Sequence, residues 1–546
     1  MRRLLPWCLL LVAACEPGAN APSLAIFGTI WTGDSTAPEV RAMAVRGENI
    51  IALGDSAKIA AMVGPNTRIL MVGSGLIVPG FADDHVHLTD AGAQLGYVEL
   101  RDADSPAEFT RRIKAYAATI PPGQWILGGN WDHERWAGSP LPRREWIDSV
   151  TPNNPVFVQR LDGHMGLANS AALALAKLTR DSPDITGGTI VRDASGAPTG
   201  VLKDEAMGPM FAVIPPPTAE QLDSALAGAM RYANVRGITA VSAVSAPWAE
   251  VAAVRRARAN GTLSMRVALY PALGGWRTVA DSVRANGVGD EWIRVAGVKG
   301  FVDGSLGSTT ALFFQPYLDD STSSGLLTTP LDSLAHWIGA ADSAGLQVAV
   351  HAIGDRANAL LLDIYDSVAA AHGNRDRRFR IEHAQHLRLE DITRIARTGV
   401  IASMQPYHAA DDGRWAWKRI RPAQLAGTYA FRSLLDAKAH LTFGSDWPVA
   451  PVDPLLGIWA AVTRQTLDGL NPGGWLPQQK ISVEEALRAY TSSNAYAVFA
   501  EERRGTLTVG KLADFAMIDR DIRKVPLDSI RVARIRTTVV GGRIVF

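Results

Sequence analysis

Residues 76–87 read Leu76-Ile77-Val78-Pro79-Gly80-Phe81-Ala82-Asp83-Asp84-His85-Val86-His87. The run is apolar as far as Ala82 and closes on two carboxylates and a His-x-His pair. Nearly continuous apolar strands belong to parallel sheets, which helices cover on both faces. Seven more such runs follow, at 238–244, 265–270, 293–303, 347–351, 379–383, 400–405 and 441–446. Helical stretches fall between them, at 219–236, 331–344, 357–371 and 389–398. Strand alternating with helix gives an α/β chain, and eight such units are what a TIM (β/α)8 barrel requires. A doubly wound open sheet is the structural alternative, but it rarely needs eight repeats.

Outward from the barrel, both chain ends alternate short β-rich runs with turns, as in Leu24-Ala25-Ile26-Phe27 and Phe515-Ala516-Met517-Ile518. They predict one small composite β-sandwich domain from 23–75 and 501–546, around a barrel at 76–500. About 150 residues separate the first and second barrel strands, where a loop usually has a few. A large insert, about 95–215, therefore follows strand one, with strand-like pieces at 125–131, 156–161 and 189–202. It leaves the C-terminal end of that strand, the mouth where barrel active sites sit. The insert is expected to cover or shape the substrate pocket.

The N-terminus reads as a targeting segment. Arg2 and Arg3 precede an apolar run far shorter than the roughly 20 residues of a membrane span. Val12-Ala13-Ala14-Cys15 resembles the lipobox of bacterial lipoproteins. The expectation is a signal peptide at 1–15, a tether at 16–22, and export to the periplasmic face of a membrane, held by a lipid on Cys15. Ordinary cleavage near Ala14 and an uncleaved anchor are the alternatives. Cys8 and Cys15 are the two cysteines of the chain, so cleavage leaves no intramolecular disulfide. With 55 basic and 54 acidic side chains among 546 residues, no charge excess points to nucleic acid. Composition, 47% hydrophobic and 20% charged, excludes a disordered chain. A homo-oligomer is left open.

Chemistry gathers at the strand ends. His85 and His87 stand at i and i+2 on strand one and point the same way. Lys299 lies in strand four, His351 ends strand five, His383 strand six and Asp446 strand eight. One histidine among 11 is more often structural than a ligand, and His336, His372 and His440 carry no positional signal. The joint registration of the others at one barrel end is the signal. Imidazole and carboxylate suit divalent metals, zinc above all. A lysine ammonium cannot ligate as it stands; the neutral amine, or its carbamate formed with carbon dioxide, can.

These residues are similar to the metal-site signature of the amidohydrolase superfamily. Asp162-Gly163-His164, Asp303-Gly304-Ser305-Leu306-Gly307-Ser308, His351-Ala352-Ile353-Gly354-Asp355 and Gly444-Ser445-Asp446-Trp447-Pro448 narrow the resemblance to amidohydrolase family 3, which includes N-substituted formamide deformylases. The resemblance implies that His85 and His87 bind one metal, His351 and His383 a second, and carboxylated Lys299 bridges them. One or two metals per chain are left open. Asp446 would ligate and act as general base and acid. The reaction implied is hydrolysis of a linear amide, an N-acyl or N-formyl amine, by metal-activated hydroxide. Ester, lactone or cyclic-amide hydrolysis on the same site is the alternative, and so is a non-catalytic periplasmic binding lipoprotein. Lys203, beside Asp204 and Glu205, is a second lysine, but it lies in the insert rather than on a barrel strand.

Substrate contacts are expected from His164, as a carbonyl or oxyanion partner, and from Trp131, His133, Asp303, Gln405 and Trp447. Loop ordering, packing of the insert and orientation of ligand histidines are the structural alternatives for these residues.

Overall fold

The computed structural model describes residues 21–295 and 297–546. The expected signal peptide, Cys15 and most of the tether lie outside the described residues. No helix among the described residues is long and apolar enough to cross a membrane.

The barrel strands are β1 (Phe81–Val86), β2 (Ile238–Val244), β3 (Arg266–Tyr270), β4 (Gly297–Phe301), β5 (Gln347–Ala352), β6 (Arg380–His383), β7 (Ile401–Met404) and β8 (His440–Phe443). They pair in parallel and in sequence order, as two arcs of a TIM-barrel-like domain. One arc holds β1 to β3 and the short strand Ile293–Val295; the other holds β4 to β8. Single parallel bridges, Val86 to Trp447 and Ala272 to Lys299, link the arcs. The helices fall where the apolar period places them. Ala219–Asn234 opens on a Thr218–Gln221 capping box, and Leu389–Thr398 ends at Gly399 in the left-handed region.

Two expected strands divide. The 76–87 run breaks at Gly80: Leu76–Pro79 pairs with Phe515–Ile518, and Phe81–Val86 enters the barrel. Gly80 is forced there, because a Cβ would lie 2.3 Å from Thr239 Oγ1 of β2. The 293–303 run likewise serves both arcs, as Ile293–Val295 against β3 and Gly297–Phe301 against β5.

Both chain ends build one eight-stranded sheet, with Leu24–Trp31 near its middle and Ile535–Val540 towards one edge. Ile26, Met43, Ile77, Phe515 and Val539 form a core on it. The insert carries a second sheet of six strands and its own core, which includes Phe109, Trp131, Trp136 and Val158. It docks over the mouth through Asp162, which accepts from Arg160 Nη1 at 2.6 Å, Ser305 Oγ at 2.5 Å and Ser308 Oγ at 2.9 Å. Two sequence motifs far apart in the chain thus meet at one carboxylate.

Candidate metal centre

His85 sits near the end of β1, and His87 caps the helix Leu88–Gln94 that follows. Asp446 arrives from the turn after β8. Its φ is +61°, and that of His383 at the end of β6 is +77°. Such backbone costs about 1–3 kcal/mol for a non-glycine residue and persists where the surroundings enforce it. Asp83 supplies part of that enforcement: its Oδ1 accepts from His85 N at 3.2 Å and Ser445 N at 2.8 Å, tying β1 to the Asp446 turn.

Nε2 of His85 and Nε2 of His87 lie 3.4 and 3.3 Å from the same oxygen, Asp446 Oδ1. The His85 tautomer follows from its other nitrogen. Nδ1 faces Glu382 Oε2 at 2.5 Å, and the second oxygen of Glu382 accepts from Arg380 Nε at 2.7 Å. Nδ1 therefore carries the proton, and Nε2 turns a bare lone pair on an anionic oxygen. Both His85 Nε2 and Asp446 Oδ1 are buried without a hydrogen-bond partner. Two acceptors so placed repel unless a cation lies between them. Tetrahedral zinc with bonds of about 2.0–2.2 Å holds its donors about 3.3–3.6 Å apart, so the observed spacing fits a divalent ion.

The electrostatics agree with that use. Burial holds His85, His351 and His383 well below the ordinary imidazole pKa, in the neutral form that ligation needs. Burial would raise the Asp446 carboxyl, but His85, His87 and His408 bring it down to about 2. Lys299, buried in β4 with Nζ 4.1 Å from the centre of the Phe301 ring, is lowered by burial to about 8. The neutral amine that carbamate formation requires is accordingly closer at hand than in an exposed lysine.

Lys299, His351, His383, His85, His87 and Asp446 all line one large cavity of about 1010 Å³. Ring centres of His351 and His383 are 4.5 Å apart, and those of His85 and His383 4.9 Å. His351 Nε2 pairs with Gly304 O at 3.1 Å, which leaves Nδ1 as its free nitrogen. His164 lines the same cavity, with Nδ1 2.6 Å from Asp204 Oδ1. Burial opposes its charged form, but Asp204, Asp162 and Asp303 outweigh that and raise its pKa.

The other residues expected to contact substrate stand away from the large cavity's wall. Trp131 is fully buried in the insert core, its Nε1 on Val158 O at 2.9 Å. His133 accepts from Arg160 Nε at 3.3 Å. Asp303 collects the amides of Leu312, Ile353 and Gly354 at 2.8–3.0 Å, joining the loops after β4 and β5. Gln405 Oε1 faces His383 Nδ1 at 2.8 Å, which orients that ring. Trp447 stacks on Tyr232, ring centres 5.2 Å apart. None of the five lies on the large cavity's wall. Lys203 donates to Ser308 O at 2.7 Å, also away from that wall.

Three residues of the centre escape a reading of strand ends. Arg380 and Glu382 are a buried pair inside β6, and Arg380 also holds Asp84 Oδ1 at 3.0 Å. Charged residues at i and i+2 within a buried strand are the signal that would have found them. His408, on the helix Pro406–Asp412 after β7, is the third. His85, His87 and Asp446 form one cluster of donor atoms lying within 4.8 Å of one another, and His383, His408 and Asp446 form another.

Residues 74–546 match the family described as "Amidohydrolase family". The chain belongs to the amidohydrolase family. This amidohydrolase is 38% identical to Protein LONG AFTER FAR-RED 3 of Arabidopsis thaliana, over 98% of this chain and 94% of that protein. It is 28% identical to the N-substituted formamide deformylase of Arthrobacter pascens, over 95% of this chain and 97% of the other. Among solved structures, an uncharacterized metal-dependent hydrolase from Pyrococcus horikoshii superposes with a TM-score of 0.75 at 29% identity, covering 92% of this chain and 99% of that one. Family and donor set together make this amidohydrolase a metal-dependent hydrolase. A non-catalytic binding role is not favoured.

Proposed function

We propose that the enzyme cleaves the carbon–nitrogen bond of a small linear amide, an N-acyl or N-formyl amine. The observation that carries this reading is the meeting of His85 Nε2, His87 Nε2 and Asp446 Oδ1 beneath a roomy cavity. Similarity to a protein named N-substituted formamide deformylase supports the bond type. Trp125, Leu127, Phe157, Phe211 and Ile214 also line the cavity, which suits an apolar substituent on the amide.

His85, His87, His351, His383, Asp446 and Lys299 as its carbamate would hold the metal, zinc in this reading. When bound, divalent metal supplies Lewis acidity and a water acidified towards neutral pH. Asp446 takes the proton of the attacking water and returns it to the leaving nitrogen. Carbon gains the water oxygen, the carbon–nitrogen bond breaks, and the products are a carboxylic acid and an amine. His164, held by Asp204, presents its ring to the carbonyl oxygen as negative charge develops there.

The test is a panel of N-formyl amines, N-acyl amines, esters and lactones, presented to the zinc-loaded chain and to Asp446→Asn. Amine release that falls by about 10²–10⁴-fold in the variant supports the reading. Turnover of esters or lactones alone rejects the bond type, and an unchanged rate in Asp446→Asn rejects the role of that residue.

A further inference from the structure

His408 has no place in the metal set that the sequence resemblance implies, yet it stands against it. The helix Pro406–Asp412 begins directly after Gln405, with Pro406 in its first turn, and carries His408 back over the mouth. The His408 ring lies nearly parallel to that of His383, centres 6.3 Å apart. One donor atom each from His383, His408 and Asp446 lie within 4.8 Å of one another.

The protonation pattern makes this cluster acceptor-only. His383 Nδ1 faces Gln405 Oε1 at 2.8 Å, and Gln405 Nε2 donates to Ser403 O at 3.3 Å, which fixes the amide with its oxygen towards the imidazole. Nδ1 of His383 therefore carries the proton, and Nε2 is bare. The His408 ring is hydrogen-bonded to the Ser445 backbone, and its Nε2 is buried with no partner. Asp446 Oδ1 is likewise buried and unpartnered. A water has two protons to donate and cannot serve three converging acceptors; a cation accepts all three.

We propose that His408 is a metal ligand, completing with His383 and Asp446 a second cation position next to that of His85, His87 and Asp446. The inference rests on the reading of this mouth as a divalent-metal site. Asp446 is shared by the two positions.

Two measurements on the full-length, zinc-reconstituted chain test this. The first is zinc per chain in the parent, His87→Ala and His408→Ala, with thermal melting as a check on folding. Two ions in the parent, falling to one in His408→Ala, are expected. Two ions retained in His408→Ala, or a single ion in the parent that His408→Ala leaves in place, overturn the His408 assignment and leave the hydrolase reading intact. An ion-free parent ends both. The second measurement holds if His408→Ala does not fold. Loaded with cobalt(II), His408→Cys is expected to show a thiolate-to-cobalt charge-transfer band in the near ultraviolet, absent from the identically loaded parent. Loaded His408→Cys without that band overturns the proposal.

Discussion

Glu382 Oε2 lies 2.5 Å from His85 Nδ1, across 297 residues of sequence. That contact selects the tautomer of a histidine whose other nitrogen points at Asp446, and Arg380 in turn donates to the second oxygen of Glu382. A carboxylate behind a ligand histidine raises its basicity and fixes its ring. Glu382→Gln should lower zinc affinity about 10–100-fold without altering the fold, read by competition with a chromogenic chelator. Unchanged affinity would remove Glu382 from the metal centre.

Gly444 is the close-approach point of the Asp446 turn. A Cβ there would meet His85 N at 2.6 Å and Asp83 Oδ1 at 2.8 Å. Gly444→Ala must push β1 and the turn apart, displacing Asp446 from His85 and His87. Zinc content and amide hydrolysis should fall together, while helix content by circular dichroism stays at the parent level. Full zinc content in Gly444→Ala would show that the turn tolerates the movement.

Glu250, on the helix Trp248–Ala259, is 3% exposed and accepts from Thr89 N at 3.1 Å. Its Oε1 has no partner, and burial raises its carboxyl from 4.5 to about 7. An acid with a raised folded pKa favours the protonated folded state. Its cost is absent below about pH 4.5, grows between 4.5 and 7, and is constant above. The plateau is on the order of 3 kcal/mol at about 1.4 kcal/mol per pH unit. Glu250→Gln should melt higher than the parent above pH 7, with a difference that shrinks as pH falls to 4.5. A pH-independent difference would contradict the buried-acid account.

Asp162 joins insert to barrel, and its partner Arg160 is 2% exposed. Asp162→Asn takes one charge partner from a buried guanidinium, a loss of roughly 3–5 kcal/mol when a pair is fully broken. Asp132, also on Arg160 at 3.1 Å, softens it. The expected outcome is earlier proteolysis within the insert and a higher KM, with zinc content held. Loss of zinc instead would mean that the insert supports the metal residues directly.

The barrel strands were legible because buried parallel strands are written as apolar runs. The break at Gly80 was not, since Leu76 to Ala82 is apolar on both sides of it, and the first half is claimed by strands outside the barrel, Leu24–Trp31 and Phe515–Ile518. His85, His87, Lys299, His351, His383 and Asp446 were legible for a related reason: strand register delivers them to one end. His408 depends on where a helix lands after β7, and no strand count gives that. Trp131 and Trp447 looked like pocket residues because tryptophan favours both pockets and cores. In the structure Trp131 donates to Val158 O and Trp447 stacks on Tyr232.

The most direct test of the central claim is to strip the chain with a chelator, return zinc in steps, and follow amine release from an N-formyl or N-acyl amine against bound zinc. The account predicts no turnover in the stripped chain and recovery that tracks occupancy of the histidine–Asp446 donors. Turnover that persists in the metal-free chain would contradict it.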